Sequence, residues 1–415
     1  MPSQTRAARV RQVNLDLLPV EVAARCRHLE GLVFFDSARE TRDPGQISVI
    51  AAEPTEILRG SLEADFEQLR RAIAERRVET VDLGIPTGFA AGWAEYDGAY
   101  CFGLYENALV YRHADDAWFE VGEFMNRLAD DQMGVGDGPQ LEFRPATSRN
   151  EYCGMVHRAQ EYIAAGDIYQ VNLAHRFSTT WTGTRDDEFA FYERLRESSP
   201  APYGAYLTLD GRSVLSTSPE CFLSISGDSI CTRPIKGTRP RRADANADEK
   251  SAYDLLTSPK EIAELVMITD LERNDIGKVC DYGSVRVREL LKLERYEQVF
   301  HLVSTVEGRL ASGVDHVTAF KACFPGGSIT GAPKKRAREI IAELEPEPRG
   351  LYTGALGWFG FNGESRFNIA IRTMVVESGK AHFHVGAGIV ADSVADLEWQ
   401  ETLDKAAGIL LAAQK

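Results

Sequence analysis

No run of about 18 apolar residues occurs in this chain, so no membrane-spanning helix is expected. Basic charge is short: 47 Lys and Arg stand against 62 Asp and Glu, a net charge of −15. Such a surface repels phosphate backbones and anionic headgroups, which sets aside nucleic acid and membrane as partners. The seven cysteines show no C-x-x-C spacing and are odd in number, a pattern of reduced thiols without zinc spacing. The first residues, MPSQTRAAR, lack the apolar segment of a secretory leader, and a cytoplasmic location is expected. No Ser/His/Asp order suggests a triad, and repeats and low-complexity tracts are absent. What remains is a composition of 44% hydrophobic and 26% charged residues, enough for a sizeable core in one elaborated domain or two to three smaller ones.

Residues 1–140 alternate strand-like runs (31–35, 46–51, 88–93, 108–111) with one amphipathic helical stretch, 62–77, and hold no cluster of reactive groups. Asp97-Gly98 marks a turn, and the glycines and proline of 134–139 suggest a linker. A helix is expected over 148–165, stopped by Gly166, and a strand over 167–177. Turn signals at Asp210-Gly211 and Gly227-Asp228 suggest an antiparallel meander. Further strands are expected at 301–306, 355–361, 367–376 and 382–385, with helices between, an order that reads as α+β.

Against the acidic background, Arg233, Lys236, Arg239 and Arg241 crowd into nine residues, RPIKGTRPR, read as a loop. Crowded cations are one route to a nucleophilic amine, although a solvated basic loop has the same composition. Just upstream, Glu220 supplies a carboxylate. Two Glu-x-x-Glu pairs, Glu261/Glu264 and Glu398/Glu401, each place two carboxylates on one helix face, with Lys405 extending the second. An oxygen-only set suits Mg²⁺ better than zinc. The same residues also fit a capping box (Ser258, Glu261) and a surface ion pair (Glu401, Lys405). The glycine-rich stretches 326–334 and 386–391 read as loops whose backbone approaches a small carboxylate. The first is not a Walker loop, and the second has only 24 residues after it, too few for a dinucleotide fold. His301 opens a strand, Arg372 is expected mid-strand, and Tyr352 suits a core as well as a site.

In combination these residues resemble the chorismate-utilising enzymes: anthranilate synthase component I, aminodeoxychorismate synthase component I, and the isochorismate and salicylate synthases. The likeness runs over 148–411 through GDIYQVNL, SPECF, PIKGTRPR, AELVMITDLERND, HLVSTVEG, FPGGSITGAPK, RGLYTGALG, FNIAIRT and GAGIVADS…EWQET. The resemblance implies two facing antiparallel sheets flanked by helices. Residues 1–140 would form an N-terminal lobe of the same fold and 148–411 the chorismate-binding catalytic region. It implies Glu264 and Glu401 as Mg²⁺ ligands supported by Glu261 and Glu398, and Glu220 as general acid beside His301. Thr238, Tyr352, Arg372, Lys405, Gly386 and Gly388 would bind substrate. The first acidic motif reads KEIAE where KDRAE is usual.

Two positions choose within the family by resemblance. Gln170 stands where the water-adding isochorismate and salicylate synthases carry lysine. Lys236 stands where anthranilate synthases read PIAGT, as in aminodeoxychorismate synthases. The implied reaction joins chorismate and ammonia through a Lys236 adduct, giving 4-amino-4-deoxychorismate for 4-aminobenzoate and folate. The alternatives are an anthranilate synthase component I or a non-catalytic regulator that binds chorismate or tryptophan. No Gly-x-Cys-x-Gly motif occurs, so a separate glutamine amidotransferase subunit is expected as the ammonia source. Phe34–Ala38 (FFDSA) lies where anthranilate synthases carry a tryptophan-binding motif, but departs from it.

Overall fold

The computed structural model describes residue 7 and residues 9–38, 46–79, 83–129, 138–296 and 299–415. Among these, two antiparallel sheets of twelve and ten strands carry the fold, with helices on their outer faces. The α+β architecture expected from the order of elements is the one observed. Most of the linker expected at 134–139 lies outside the described residues.

Both sheets draw strands from both halves of the chain. In the larger, Val33–Asp36 pairs with Tyr203–Leu209; in the smaller, Phe89–Ala94 pairs with Ala355–Gly360. Between the sheets, apolar side chains such as Val33, Phe35, Val49, Phe89, Trp93 and Trp358 form one core. Phe35 meets Trp358 edge-on, with ring centroids 5.0 Å apart. A second core lies where the helices Arg185–Ser198 and Ala395–Gln414 cover the larger sheet, and a third beneath Phe66–Glu75 and His316–Cys323 on the smaller.

The helix at 148–165 is observed as Arg149–Ala164, begun by a Ser148/Glu151 capping box. The expected helix at 62–77 is Phe66–Glu75, and the expected strand at 167–177 is Gln170–Thr180. The Asp97-Gly98 turn joins Phe89–Ala94 to Ala99–Tyr105, a strand the sequence reading passed over.

Where a meander was expected, two hairpins lie in different sheets. Tyr203–Leu209 and Arg212–Ser218 belong to the larger, Cys221–Ser226 and Ser229–Arg233 to the smaller. The chain therefore changes sheet at Pro219-Glu220, next to a bulge in the following strand. It changes back between Glu364–Ile369 and Thr373–Glu377. Corners of this kind need bends, and Arg372 supplies one with φ +49° in the left-handed region. Arg372 is thus at a break and not mid-strand. The two crossings hold each other: Ile369 N–H donates to Glu220 O (3.1 Å) and Thr217 N–H to Arg372 O (3.1 Å).

Candidate active site

Beside the crossings, a cavity of about 750 Å³ opens between the sheets. Its floor and walls bring together every candidate residue except Glu398. The crossings contribute Glu220 and Arg372; the helices Pro259–Gly277 and Ala395–Gln414 contribute Glu261, Glu264, Glu401 and Lys405.

The cationic stretch is a strand, Ile235–Pro240, at the edge of the smaller sheet. Its prolines misled the loop reading, because an edge strand tolerates residues without a donor. Gly237 makes a bulge with φ +75°, and a Cβ there would lie 2.6 Å from Leu255 Cδ1 and 3.0 Å from Glu261 Oε2. The strand can approach the acidic helix only because this residue has no side chain. Next to the bulge, Thr238 Oγ1 lies 3.0 Å from His301 Nδ1, on the neighbouring strand Val299–Arg309.

Each of the four helix carboxylates faces a cation. Lys236 Nζ lies 3.9 Å from Glu264 and Arg239 3.5 Å from Glu261. Lys260 lies 3.3 Å from Glu398 and Lys405 2.7 Å from Glu401. Burial raises the Glu264 carboxyl, and the pull of Lys236 and Lys260 offsets this only in part. Magnitudes agree: at about 4 Å and an effective dielectric of 20 the attraction is about 4 kcal/mol. Taking a carboxylate from water costs several kcal/mol. Glu401 is also raised by burial, but the attraction and hydrogen bond of Lys405 outweigh it and the net direction is down. Lys405 donates as well to Gly386 O at 2.8 Å, tying the last helix to the sheet.

Glu220 is 6% exposed. Its carboxyl is raised by burial, against the hydrogen bond of Ser328 and the charge of Lys236. Tyr352 stacks on His384 (5.4 Å), and burial pushes its phenol up to about 12. Gly386 and Gly388 sit in a strand, Lys380–Ile389, and not in a loop. A Cβ at Gly386 would lie 2.9 Å from Tyr352 Oη; one at Gly388 would lie 2.4 Å from Gln170 Nε2 and 3.8 Å from Lys236 Nζ. The other expected loop, 326–334, is a 3-10 turn (Gly327–Ile329), a short strand (Gly331–Ala332) and Pro333 at the cap of Lys334–Leu344.

Glu398 is the exception. It is buried behind the cavity, where Oε1 accepts from Ser393 Oγ (2.7 Å) and Oε2 has no hydrogen-bond partner among the described residues. The sequence reading missed Lys260, Ser328, Asn172 and His384. The first two act through partners distant in the chain, as with Lys260 and Glu398, 138 residues apart, and no local pattern reveals that. Asn172 lies in GDIYQVNL, a motif already singled out, and lines the cavity with a buried side chain directed at the Tyr352 phenol.

In the FFDSA stretch, Phe35, Asp36 and Ser37 border a void of only about 20 Å³ next to Trp358. It has room for no more than a water.

Two large antiparallel sheets enclosing a cavity with acidic and basic walls define an α+β protein with an inter-sheet site for a small charged ligand. The chain belongs to the family of chorismate binding enzymes, whose family model matches residues 36–411. It is 42% identical to aminodeoxychorismate synthase component 1 of Bacillus subtilis over 74% of this chain and 68% of that protein. It is 47% identical to anthranilate synthase component 1 of a Synechocystis strain over 66% of this chain and 56% of that protein. The crystal structure of anthranilate synthase component I from Streptococcus pneumoniae superposes with a TM-score of 0.78 at 29% identity, covering 89% of this chain and 93% of that one.

Proposed function

We propose that this chain converts chorismate and ammonia to 4-amino-4-deoxychorismate. The observation that carries the reading is the position of Lys236. Its amine lines the cavity, close to Glu264 and Gly388, in the same enclosure as the buried acid Glu220. In this reading Lys236 attacks C2 of the ring, the double bonds shift, and the C4–O bond breaks. The hydroxyl leaves as water with the proton of Glu220, a buried carboxyl suited to donate one. Ammonia then bonds to C4, the C2–N bond breaks, and the surplus proton returns to Glu220. The enolpyruvyl group stays in place. Arg372 and Lys405 hold the carboxylates of the substrate, with Thr238, Tyr352 and the backbone of Gly386 and Gly388 around them, and His301 stands beside the ring.

Mg²⁺ fits the donor set. Glu264 remains undercompensated by its lysines, and Mg²⁺ binds through one or two carboxylates while water and substrate fill the remaining positions. Glu264 and Glu401 would hold it, with Glu261 and Glu398 in support. When bound it supplies Lewis-acid polarisation of the ring carboxylate. Ammonia would come from a glutamine amidotransferase subunit, consistent with the component 1 names of the relatives, in the cytoplasm and on the way to 4-aminobenzoate.

The anthranilate synthase reading has support too, since a relative of that name is 47% identical. Product separation decides between them. Purified chain with chorismate, Mg²⁺ and ammonium should form 4-amino-4-deoxychorismate, and Lys236→Arg, which keeps the charge but not the nucleophile, should form almost none. Anthranilate as the main wild-type product sinks the proposal, and near-normal output from Lys236→Arg sinks the covalent step.

A further inference from the structure

Behind the cavity, on the side of Tyr352 and Asn172, one buried guanidinium holds several of the walls at once. Arg349 is 4% exposed, and each of its five N–H groups has an acceptor. Nε and Nη2 donate to the two carboxylate oxygens of Glu345 at 2.8 and 2.6 Å. Nη1 donates to Ile329 O and Thr353 Oγ1, both at 3.1 Å, and Nη2 donates to Asn172 O at 2.7 Å. The guanidinium carbon also lies 5.7 Å from the centre of the Tyr352 ring. Asn172, Ile329 and Tyr352 all line the cavity. They come from three separate segments: the strand Gln170–Thr180, the turn Gly327–Ile329 and the turn ahead of Ala355–Gly360.

Stability alone is a weak reason for such a pair. A buried ion pair about breaks even against apolar residues of the same volume, because desolvation offsets the attraction. Burial works against the charge of Arg349, and the Glu345 carboxylate outweighs it. What the pair adds is geometry: a planar fork fixes five directions, which a flexible ammonium cannot. Glu345 ties the fork to the strand again, since its Oε1 accepts the Ala174 N–H at 2.8 Å. The residue after Tyr352 is strained. Thr353, fully buried and β-branched, has φ +62°, in the left-handed region. Such a backbone persists only where its surroundings hold it. Here the Thr353 N–H donates to Ala370 O at 2.8 Å, and its hydroxyl lies between Arg349 and Tyr352 O.

We infer that Arg349 is a positioning residue: it fixes the Tyr352 phenol relative to the Asn172 wall, so that the hydroxyl meets a carboxylate of chorismate. The inference rests on the reading of Tyr352 as a substrate-binding group. Arg349 does not itself line the cavity and acts only through the groups it holds. Lysine at this position keeps a charge opposite Glu345 but can replace at most three of the five bonds. The segment carrying Tyr352 then shifts, and a displacement of about 1 Å at a positioned group costs up to about 100-fold in rate.

The test is a double-mutant cycle on kcat/KM for chorismate, followed as chorismate consumption whatever the product, with Mg²⁺ and ammonium present. Arg349→Lys should lower kcat/KM by about 10- to 100-fold in the wild-type background. In the Tyr352→Phe background, where the hydroxyl is already gone, the loss should be at least about fivefold smaller, a coupling expected only of groups that act together. KM for ammonium should stay as it was. Equal losses in the two backgrounds mean only a structural role and overturn the inference, as does wild-type kcat/KM from Arg349→Lys. Should that variant not fold, Thr353→Gly takes its place in the cycle. Glycine adopts φ +62° without strain, while the hydroxyl that accepts from Arg349 is lost. Equal losses from Thr353→Gly in the two backgrounds overturn the inference in the same way. Wild-type kcat/KM from Tyr352→Phe alone would instead overturn the reading on which the inference rests, and the inference with it.

Discussion

Glu264 and Glu401 face one cavity in opposite electrostatic conditions, the first raised by burial and the second lowered by Lys405. If both hold Mg²⁺, Glu264→Gln and Glu401→Gln should each reduce chorismate turnover by at least about 100-fold while circular dichroism shows an unchanged fold. Undiminished turnover in EDTA would count against the metal. His175 makes a different, purely structural prediction. Buried beneath Trp399, it is depressed to about 4 by desolvation, and burial lowers His384 as well. A depressed histidine gains protons more readily unfolded, so its contribution is present above pH 6.5 and is lost as pH falls toward 4. For His175 that amounts to about 3 kcal/mol. Urea unfolding between pH 7 and 4 should lose this stability, and His175→Phe should flatten the slope. The sequence marks neither His175 nor His384, because their burial depends on elements that dock from elsewhere in the chain.

At the scale of elements, legibility followed locality. Helix Arg149–Ala164 was readable because cap, apolar period and stop signal all lie within residues 148–166. The strand Ile235–Pro240 was not, since its prolines and glycine belong equally to a loop, and only the vacant edge beside Val299–Arg309 makes it a strand. Gly237 tests that account. Gly237→Ala should cost at least about 1–2 kcal/mol for the left-handed backbone, with the close contacts at Leu255 and Glu261 in addition. Thermal unfolding should register the loss, and kcat should fall as Lys236 is displaced. Wild-type stability and kcat in this variant would mean the bulge is not needed. Arg372 failed the strand reading for a related reason: a change of sheet leaves no mark in a period-2 pattern.

For the molecule as a whole, the proposal assigns this chain one half of a reaction, the half that handles chorismate. Isolated chain should therefore use ammonium salts and not glutamine, and adding a matching amidotransferase should confer glutamine dependence. Glutamine-supported turnover by pure chain alone would contradict this, as measured by product chromatography at equal nitrogen donor concentration. The same scale explains why the site lies where it does. Apolar side chains fill the space between the sheets on one side, and the paired crossings at Glu220 and Arg372 border the charged cavity.

The sequence by itself determined the α+β class, the family motifs, and twelve of the thirteen candidate residues that line the cavity (thirteen less Glu398). The class follows from the order of elements, and the candidate residues from the resemblance of short motifs to a known family, both of which the chain carries in its linear order. The tertiary structure alone decided that Glu220 and Arg372 sit at sheet crossings, that Glu398 turns away, and that each helix carboxylate meets a cation. It also decided that Arg349 holds Ile329 and Asn172 from behind the cavity. These depend on contacts between residues tens to hundreds of positions apart, formed when sheets and helices bury their apolar faces together, and no local pattern encodes them.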